Sequence, residues 1–286
     1  MKKFSFILLI ILFGLSKFAF AAVELESPPR RIVSLAPSVT EILFAMGLGD
    51  NIVGVTSFCD YPEEAKKKPK IGGMSNPSLE AVVSLKPDIV VMTTDGNPKE
   101  FEERLRSLKI ATYVFTARRL AELSQGIKEL GEALRNKEKG DALARDIEAG
   151  IHRIEATHSA SGKPKSAFHK KVLYIVWPEP LIAAGPGTVI DDAIAMLGEV
   201  NIAHGAAADY PKYSLEEVIR QAPDVIIIGK GSGMDMVAVS RGILKRMTSV
   251  PAVKSGAICY LGDGLYRLGP RVVQGIEELA ECLKQK

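Results

Sequence analysis

The chain has 286 residues, with 37 lysines and arginines against 34 aspartates and glutamates. Lys2, Lys3 and Lys17 lie in the leader at positions 1–21, and without them 34 basic residues balance 34 acidic ones. A neutral chain lacks the basic character of nucleic-acid-binding proteins, and roughly 265 residues are enough for two domains with separate cores.

The leader at positions 1–21 has the pattern of a secretory signal. Lys2 and Lys3 precede the apolar run Phe4–Leu15, and positions 19–21 (AFA) supply the small residues of a cleavage site. A membrane anchor is the alternative, but this run is shorter than the roughly 20 residues that span a bilayer core. No cysteine stands directly after the run, so the usual lipid-attachment site is missing. The sequence therefore predicts cleavage after Ala21 and an exported, soluble product.

One helix–strand unit occurs twice, at positions 78–91 (SLEAVVSLKPDIVV) and 214–227 (SLEEVIRQAPDVII). The copies align without a gap, so that Ser78 matches Ser214 and Asp88 matches Asp224. In each copy a serine can cap a short amphipathic helix, a proline prevents its continuation, and a β-branched run follows. A strand without polar alternation is typical of a parallel sheet that is covered on both faces. The sequence predicts an α/β fold with two similar lobes, each built on a parallel sheet.

The first lobe is predicted at residues 31–117 and the second at residues 170–286. Their expected strands are 31–35, 52–55, 89–91 and 111–115 in the first lobe, and 171–177, 225–228 and 257–261 in the second. Helical segments separate these strands, and such alternation along a chain is the pattern of a parallel sheet.

The stretch between the lobes, residues 118–158, predicts a connecting helix. It is rich in alanine, leucine and charged residues, and its apolar residues recur at helical spacing. A helix of about 35 residues is about 50 Å long, which exceeds one small domain. We therefore expect a stiff rod between the lobes, with Gly140 as the candidate for a break between two segments.

Three cysteines follow the leader: Cys59, Cys259 and Cys282. In an oxidising compartment Cys259 and Cys282 can form a disulfide, which would leave Cys59 as the odd one. Three buried thiols are the alternative, and the sequence leaves this choice open.

Catalytic and metal-binding motifs are missing from the sequence. The four histidines, at positions 152, 158, 169 and 204, have no partner at metal-ligand spacing. The glycine-rich turn at 229–233 lacks the spacing and the ending of phosphate-binding loops, and no GxSxG nucleophile elbow is present. The sequence therefore predicts neither an enzyme nor a metal site.

A cleft is expected between the lobes, because α/β sheets bind ligands at the carboxyl ends of their strands. The loops predicted to face it are 36–38, 58–61, 93–97, 177–180, 229–234 and 263–267, together with Met74. Trp177, the single tryptophan, stands at a strand end, where it is either a structural aromatic or a flat surface for a large planar ligand. We favour the ligand-facing role.

Four stretches together resemble periplasmic substrate-binding proteins of ATP-driven importers for vitamin B12, haem and ferric siderophores. They are Arg31–Gly49 (RIVSLAPSVTEILFAMGLG), 60–62 (DYP), 73–88 and 177–185. The similarity covers nearly the whole chain after the leader and is greatest to the cobalamin-binding members. It implies two Rossmann-like lobes bridged by one long helix, in a monomeric periplasmic receptor without a resident cofactor. It also implies delivery of the ligand to an ABC importer permease and its ATPase.

The resemblance further implies that one glutamate on each lobe docks onto arginines of the permease. The matching positions are Glu80 and Glu216, which are equivalent in the two copies of the repeated unit. A local alternative exists, because the helix dipole stabilises an acid in the first turn and Glu217 could form a capping box with Ser214. Duplication alone would also place an acid in both copies, but we favour docking.

The loops and the resemblance together predict a ligand pocket. Its residues are Pro37, Ser38, Phe58, Tyr61, Met74, Thr93, Thr94, Trp177, Asp263, Tyr266 and Arg267. The cobalamin-binding relatives stack tryptophan and tyrosine on the corrin, whereas here Phe58 is the one aromatic kept at those positions. Trp177 can replace some of the lost surface.

The expected ligand is a corrinoid, with cobalamin first. Haem is an alternative, with Tyr61, Tyr266 or Met74 as axial ligand. A ferric siderophore that meets Tyr266 and Arg267 is another. An exported enzyme on the same fold is the least favoured interpretation.

Overall fold

The structure is a computed structural model that describes residues 27–160, 169–231 and 235–285. The predicted signal sequence, residues 1–21, lies outside these ranges. Within them, no helix combines the length and the apolar character that crossing a membrane requires.

The first lobe is built around a four-stranded parallel sheet. Its elements are β1 (Ile32–Ser34), α1 (Pro37–Ala45), a 3-10 turn (Gly49–Asn51), β2 (Ile52–Val55), α2 (Glu63–Lys66), α3 (Leu79–Ser84), β3 (Ile89–Thr93), α4 (Lys99–Ser107) and β4 (Ala111–Phe115). The strands lie in the order β2-β1-β3-β4, and every neighbouring pair is parallel. Parallel pairing needs crossover connections, which the intervening helices supply.

Strand β3 lies inside the sheet, between β1 and β4, and this position explains why its sequence is continuously apolar. All five of its residues are buried. Ile89 and Val91 pack in one hydrophobic core, while Val90 and Met92 pack in a second core. Successive side chains of a strand point to opposite faces, so a sheet that is covered on both sides needs apolar residues at every position.

The connector is a pair of antiparallel helices, α5 (Leu120–Ala133) and α6 (Lys137–Ala160). The connecting helix predicted at 118–158 is thus divided, but the predicted place of the break is corrected here, because the chain turns at residues 134–136, where Arg135 has φ +56°. Gly140, the expected break, lies within α6 and packs closely against α5. A Cβ on Gly131 would lie 3.0 Å from the Cα of Gly140, so both glycines serve close helix packing.

Helix α6 is the member of the pair that spans the two lobes. Its 24 residues correspond to about 36 Å. Just before it, Asn136 donates a hydrogen bond to the carbonyl of Met46 in the first lobe at 2.9 Å. Farther along, Gly150 packs against Val273 of the second lobe. A long helix between the lobes is therefore present, but it is shorter than predicted.

The second lobe repeats the architecture of the first. Its elements are β5 (Lys171–Pro178), β6 (Leu181–Ala183), α7 (Val189–Met196), β7 (Val200–Asn201), α8 (Leu215–Gln221), β8 (Val225–Gly229), α9 (Met236–Arg246), α10 (Pro251–Ser255), β9 (Ile258–Leu261) and α11 (Val272–Gln285). The parallel strands lie in the order β7-β5-β8-β9, which matches β2-β1-β3-β4 of the first lobe. Strand β6 is an addition that pairs antiparallel with the end of β5. The prediction of two similar α/β lobes is confirmed.

An aspartate ties the repeated helix–strand unit to the neighbouring strand in both lobes. Asp88 accepts hydrogen bonds from the backbone N–H groups of Arg30 and Arg31 at 2.7 and 2.9 Å. Asp224 accepts one from the backbone N–H of Lys171 at 2.9 Å. The carboxylate satisfies amide groups at the beginning of β1 and β5, which explains why an aspartate occurs at this position in both copies.

The structure settles the choice that the sequence left open among the cysteines. Cys259 and Cys282 form a disulfide that joins β9 to α11. Cys59 is a free and buried thiol, and its sulfur lies 3.1 Å from the hydroxyl groups of both Thr40 and Thr56.

Candidate ligand-binding cleft

A cavity of about 330 Å³ lies between the lobes at the carboxyl ends of their parallel strands. Its lining residues are Pro37, Ser38, Phe58, Met74, Thr93, Asp95, Phe115, Ala117, Tyr210, Gly231, Tyr266, Arg267 and Leu268. The first lobe contributes the ends of β1, β3 and β4, and the second contributes the loops after β7, β8 and β9. Apolar and aromatic groups predominate among a few polar ones, which is the usual composition of a site for an organic ligand.

Larger hollows flank the connector helices. One of about 810 Å³ lies between α6 and α11, and another of about 560 Å³ lies between α5, α6 and α7. Both are formed mainly by helix surfaces, and neither is lined by the carboxyl ends of the strands, where open α/β sheets bind their ligands. We therefore take the cavity between the lobes as the candidate site.

Seven of the eleven residues predicted for the pocket line this cavity. They are Pro37, Ser38, Phe58, Met74, Thr93, Tyr266 and Arg267. The other four, Tyr61, Thr94, Trp177 and Asp263, are not among the lining residues. Thr94 is exposed one residue beyond the end of β3.

Trp177 lies away from the cavity lining because β5 continues past the strand end into an antiparallel hairpin with β6. In this hairpin Trp177 is paired with Ile182, and its indole N–H donates a hydrogen bond to the carbonyl of Glu179 at 2.9 Å. The sequence predicted a loop after Trp177 and gave no sign of the extra strand. Trp177 is therefore part of the hairpin, and no contact with the cavity supports its predicted role in ligand binding.

Asn97 organises the first-lobe wall of the cavity. Its side-chain amide donates to the carbonyls of Leu35 and Met74 at 2.9 and 3.0 Å, and its oxygen accepts from the backbone N–H of Thr93 at 2.9 Å. One side chain thus joins the ends of β1 and β3 to the glycine-rich loop that carries Met74. The sequence places Asn97 in a cleft-facing loop, but its three backbone partners are far apart along the chain.

A buried ionic cluster joins the two lobes beside the cavity. It consists of Glu41, Asp60, Asp263, Arg267 and Arg271. Arg267 pairs with Asp60 at 2.6 Å and with Asp263 at 2.8 Å, and it lies 3.2 Å from Glu41. Arg271 pairs with Glu41 at 2.6 Å and with Asp263 at 2.7 Å. Two of the acids belong to the first lobe and both arginines to the second, so the cluster fastens one lobe to the other.

Each charged side chain of this cluster contacts at least one group of opposite charge. The side chain of Glu41 is 1% exposed and that of Arg267 is 6% exposed, and buried ions are tolerated when they are paired and hydrogen-bonded. Burial acts to lower the pKa of Arg267, but hydrogen bonding to Asp60 and the charge of Asp263 outweigh it, so this pKa is raised. Hydrogen bonding to Glu41 is the largest influence that raises the pKa of Arg271.

The cluster also explains why Tyr61 and Asp263, which were predicted to bind the ligand, do not line the cavity. The guanidinium carbon of Arg271 lies 4.3 Å from the ring centre of Tyr61, a cation–π distance. Asp263 accepts from both arginines of the cluster. Both residues therefore contact the protein's own arginines next to the cavity.

A second ionic contact crosses between the lobes at the surface, and we call it the Arg118 bridge. Arg118 pairs with Asp95 of the first lobe at 2.9 Å and with Asp209 of the second lobe. Its three side chains are 44%, 48% and 37% exposed, in contrast to the buried cluster. Asp95 lines the cavity, while Arg118 and Asp209 are chain neighbours of the lining residues Ala117 and Tyr210.

Three residues at or beside the cavity were not predicted from the sequence. Phe115 ends a predicted strand, so the rule that ligands bind at strand ends would have identified it. Glu41 is an acid beside apolar neighbours in a helix, which is a sign of a buried, paired carboxylate. Tyr210 lies in a long irregular loop, and nothing in the local pattern marks it.

The helices α3 and α8 present the two glutamates that were predicted to dock. Glu80 and Glu216 are both exposed, and within the described residues neither has an ion pair or hydrogen bond through its side chain. Glu217, by contrast, pairs with Arg220. Hydrogen bonding from Arg220 and Gln221 lowers the pKa of Glu217. Ser214 caps α8 by accepting from the Glu217 N–H at 3.1 Å, but the carboxylate of Glu217 is turned to Arg220, so the capping-box alternative is not supported.

A family model described as a periplasmic binding protein matches residues 32–265. The chain belongs to this family. The match begins at β1 and ends within the loop after β9, so it includes both lobes, both connector helices and nearly every segment that lines the cavity.

Individual relatives agree over nearly the whole chain. A vitamin B12-binding protein of Vibrio cholerae serotype O1 is 30% identical over 260 residues, which cover 90% of this chain and 90% of the relative. The crystal structure of the periplasmic vitamin B12-binding protein BtuF of Vibrio cholerae is 27% identical, with a TM-score of 0.78, and the alignment covers 90% of this chain and 98% of that one. The periplasmic haem-binding protein RhuT of Roseiflexus is 29% identical, with a TM-score of 0.81 and the same coverage. The relatives thus include binders of both tetrapyrrole types.

Proposed function

We propose that the protein is a periplasmic receptor that binds a corrinoid, with cobalamin as the first candidate, in the cleft between its lobes. It then delivers this ligand to the permease of an ABC importer, which an ATPase drives. Membership of the periplasmic binding protein family and the vitamin B12-binding relatives support the class. The choice of a corrinoid over the other ligands of the class depends on the charges around the cavity.

The observation that supports a corrinoid is that the arginines at the cavity are already paired with acids. Arg267 is the one cation among the described residues that line the cavity, and it pairs with Asp60 and Asp263. The buried ionic cluster and the Arg118 bridge together hold three arginines and five carboxylates, a formal charge of −2. Haem carries two propionates and ferric siderophores are commonly anionic, and such groups need cations that are available to pair with them, whereas each of these arginines is already paired with acids. Cobalamin presents neutral amides around its ring, which need no such cation.

Haem is the second candidate, because the similarity to a haem-binding protein is as extensive as that to BtuF. Tyr266 and Met74 line the cavity and have the chemistry of axial haem ligands. An axial tyrosine binds iron as a phenolate. Burial raises the pKa of Tyr266, which opposes loss of its proton. This residue therefore favours haem less than its position alone implies.

We further propose that Glu80 and Glu216 bind basic groups of the permease. Their support is their exposure, their lack of partners in the described residues and their equivalence in the two copies. Glu217, the neighbouring acid, is neutralised by Arg220 and serves as an internal comparison.

Titration of the purified protein with cyanocobalamin and, separately, with haemin tests the choice of ligand. We expect saturable binding of one cyanocobalamin per chain, and no Soret shift with haemin under the same conditions. Haemin binding without cyanocobalamin binding would replace the first candidate with the second. Absence of binding of both would remove tetrapyrroles altogether.

A matched pair of aromatic variants tests the location. Phe58 and Tyr61 lie in one loop and are 55% and 47% exposed, but Phe58 lines the cavity while Tyr61 stacks on Arg271. Loss of an aromatic contact surface of this kind corresponds to about a tenfold increase in Kd. We therefore expect Phe58→Ala to weaken cyanocobalamin binding about tenfold, and Tyr61→Ala to change it much less. Equal effects of the two variants would place the ligand elsewhere in the cleft.

A further inference from the structure

The Arg118 bridge holds together three separate segments of the cavity wall. Its members are Asp95 in the loop after β3, Arg118 just after the end of β4, and Asp209 in the loop after β7. Each is either a lining residue or the chain neighbour of one. Since Asp95 and Asp209 belong to different lobes, the cleft cannot widen at this point while Arg118 contacts both.

The width of the cleft matters because the cavity is small. Its volume of about 330 Å³ is near the lower end of sites for drug-sized ligands, and a tetrapyrrole with its side chains is larger than such ligands. Entry of a ligand of this size therefore requires the lobes to separate. In the part of the chain that the structure describes, the buried cluster and the Arg118 bridge are the ionic contacts beside the cavity that resist this separation.

The two links differ in how readily they can open. Separation of the buried cluster would leave buried charges such as Glu41 without their partners. This is costly, because Glu41 and Arg267 are both buried. The Arg118 bridge is solvent-exposed, and exposed ion pairs exchange with water and salt at little cost. Opening at the Arg118 side, with the buried cluster acting as the pivot, has the lower cost.

We propose that Arg118 is a positioning residue that holds the cleft at its narrow width and releases it when a ligand enters. Arg118 has this role whichever ligand the cleft binds. Arg119 provides a matched control, because it is the adjacent residue, is 50% exposed and pairs with Asp192 of the second lobe. Arg119 and Asp192 do not line the cavity, and neither is the direct chain neighbour of a residue that does.

The distance between the lobes of the ligand-free protein tests this role directly. Spin labels at Ser84→Cys and Lys254→Cys, both exposed and in different lobes, report the distribution of this distance by pulsed electron resonance. Cys59 is buried and Cys259 is bonded to Cys282, so the introduced thiols are the accessible ones. We expect Arg118→Gln to raise the population of the wider form about two- to fivefold, the range typical of an exposed ion pair. High salt should do the same in the unmodified chain and add little in the variant.

Arg119→Gln should leave the distribution unchanged, and both variants should melt at nearly the same temperature as the parent. An unchanged distribution for Arg118→Gln, or equal changes for the two variants, would overturn the proposal. A second measurement uses cyanocobalamin as the probe, and faster association with Arg118→Gln than with Arg119→Gln is expected. Failure of cyanocobalamin to bind would count against the proposed ligand alone, because the distance measurement decides the role of Arg118 without any ligand.

Discussion

The two lobes are alike on their outer helices and unlike at the edges that meet in the cleft. In the repeated helix, Val82 and Val218 are buried, while Val83 and Ile219 are exposed like the glutamates before them. At the strand ends the register gives a different result. Val91 and Ile227 are equivalent in the repeated unit, and their partners on the adjacent strand are Ser34 and Tyr174. A small residue in the first lobe thus corresponds to a large one in the second.

The neighbouring strand shows the opposite substitution. Thr93 of the first lobe corresponds to Gly229 of the second when the alignment of the repeated unit is continued to the end of its strand. A Cβ on Gly229 would lie 3.0 Å from the hydroxyl oxygen of Tyr174, so the glycine makes room for the tyrosine. Duplication kept the topology and the helix surface, while packing at the cleft changed in a coordinated way. Like outer surfaces suit a partner with two equivalent binding faces, and unlike inner edges suit one asymmetric ligand.

The largest expected effect concerns the outer helices. Glu80→Ala combined with Glu216→Ala should reduce transport to background while ligand binding stays unchanged, because both carboxylates lie outside the cavity and we propose that they bind the permease. Uptake of labelled ligand by cells, with binding measured on the purified protein, checks this. Each single variant should cause a similar loss, and Glu217→Ala should cause little. A strong loss from only one of the two would break the equivalence of the lobes.

The second-largest effect is expected for the buried ionic cluster, which links the two lobes. Arg267→Met removes the arginine that Asp60, Asp263 and Glu41 all contact, and it should lower the free energy of unfolding by about 3 kcal/mol, as expected when one partner of a buried ion pair is removed. Urea denaturation measures it. Arg267→Lys should recover only part of the loss, because an ammonium cannot contact several carboxylates in the geometry of a guanidinium. A loss below that of the exposed control Arg119→Gln would show that the cluster is not a structural link.

The disulfide distinguishes the second lobe from the first. It closes a loop with a sequence separation of 23, and its removal by Cys259→Ser and Cys282→Ser should cost about 3 kcal/mol of stability on the chain-entropy estimate. Treatment of the unmodified protein with reductant should reproduce the shift in thermal denaturation. No shift in either experiment would mean that the bond contributes little.

The smallest effects come from the two equivalent hydroxyl groups. The Ser34 hydroxyl donates to the carbonyl of Ala36 at 3.2 Å and accepts from Thr40 at 2.8 Å, whereas the buried hydroxyl of Tyr174 has no hydrogen-bond partner among the described residues. Ser34→Ala should therefore destabilise the protein by about 1 kcal/mol. Tyr174→Phe should be neutral or stabilising by up to about 1 kcal/mol, since it removes a buried group without such a partner. Destabilisation by Tyr174→Phe would indicate a partner such as a bound water.

Much of the candidate site could be predicted because position along a strand is a local property. Ser38, Thr93 and Tyr266 follow or end strands, and the ends of parallel strands meet at one edge of a sheet. Trp177 could not be placed in this way, because β6 pairs with β5 through contacts that no periodicity records. The break in the connector was misplaced for a related reason. Gly140 looked like a helix terminator, but it allows close packing of α6 on α5.

The sequence by itself determined the two-lobed α/β architecture, the repeated helix–strand unit and the positions of its exposed glutamates. These follow from short-range rules, since capping, helical spacing and β-branched runs act over a few residues. Tertiary structure alone decided which charges meet. Glu41 and Arg267 are 226 residues apart, and their pairing depends on how two folded lobes face each other across α6. The charge that the cleft presents to a ligand is therefore a property of the assembled molecule, because an arginine's availability depends on acids that distant segments bring to it.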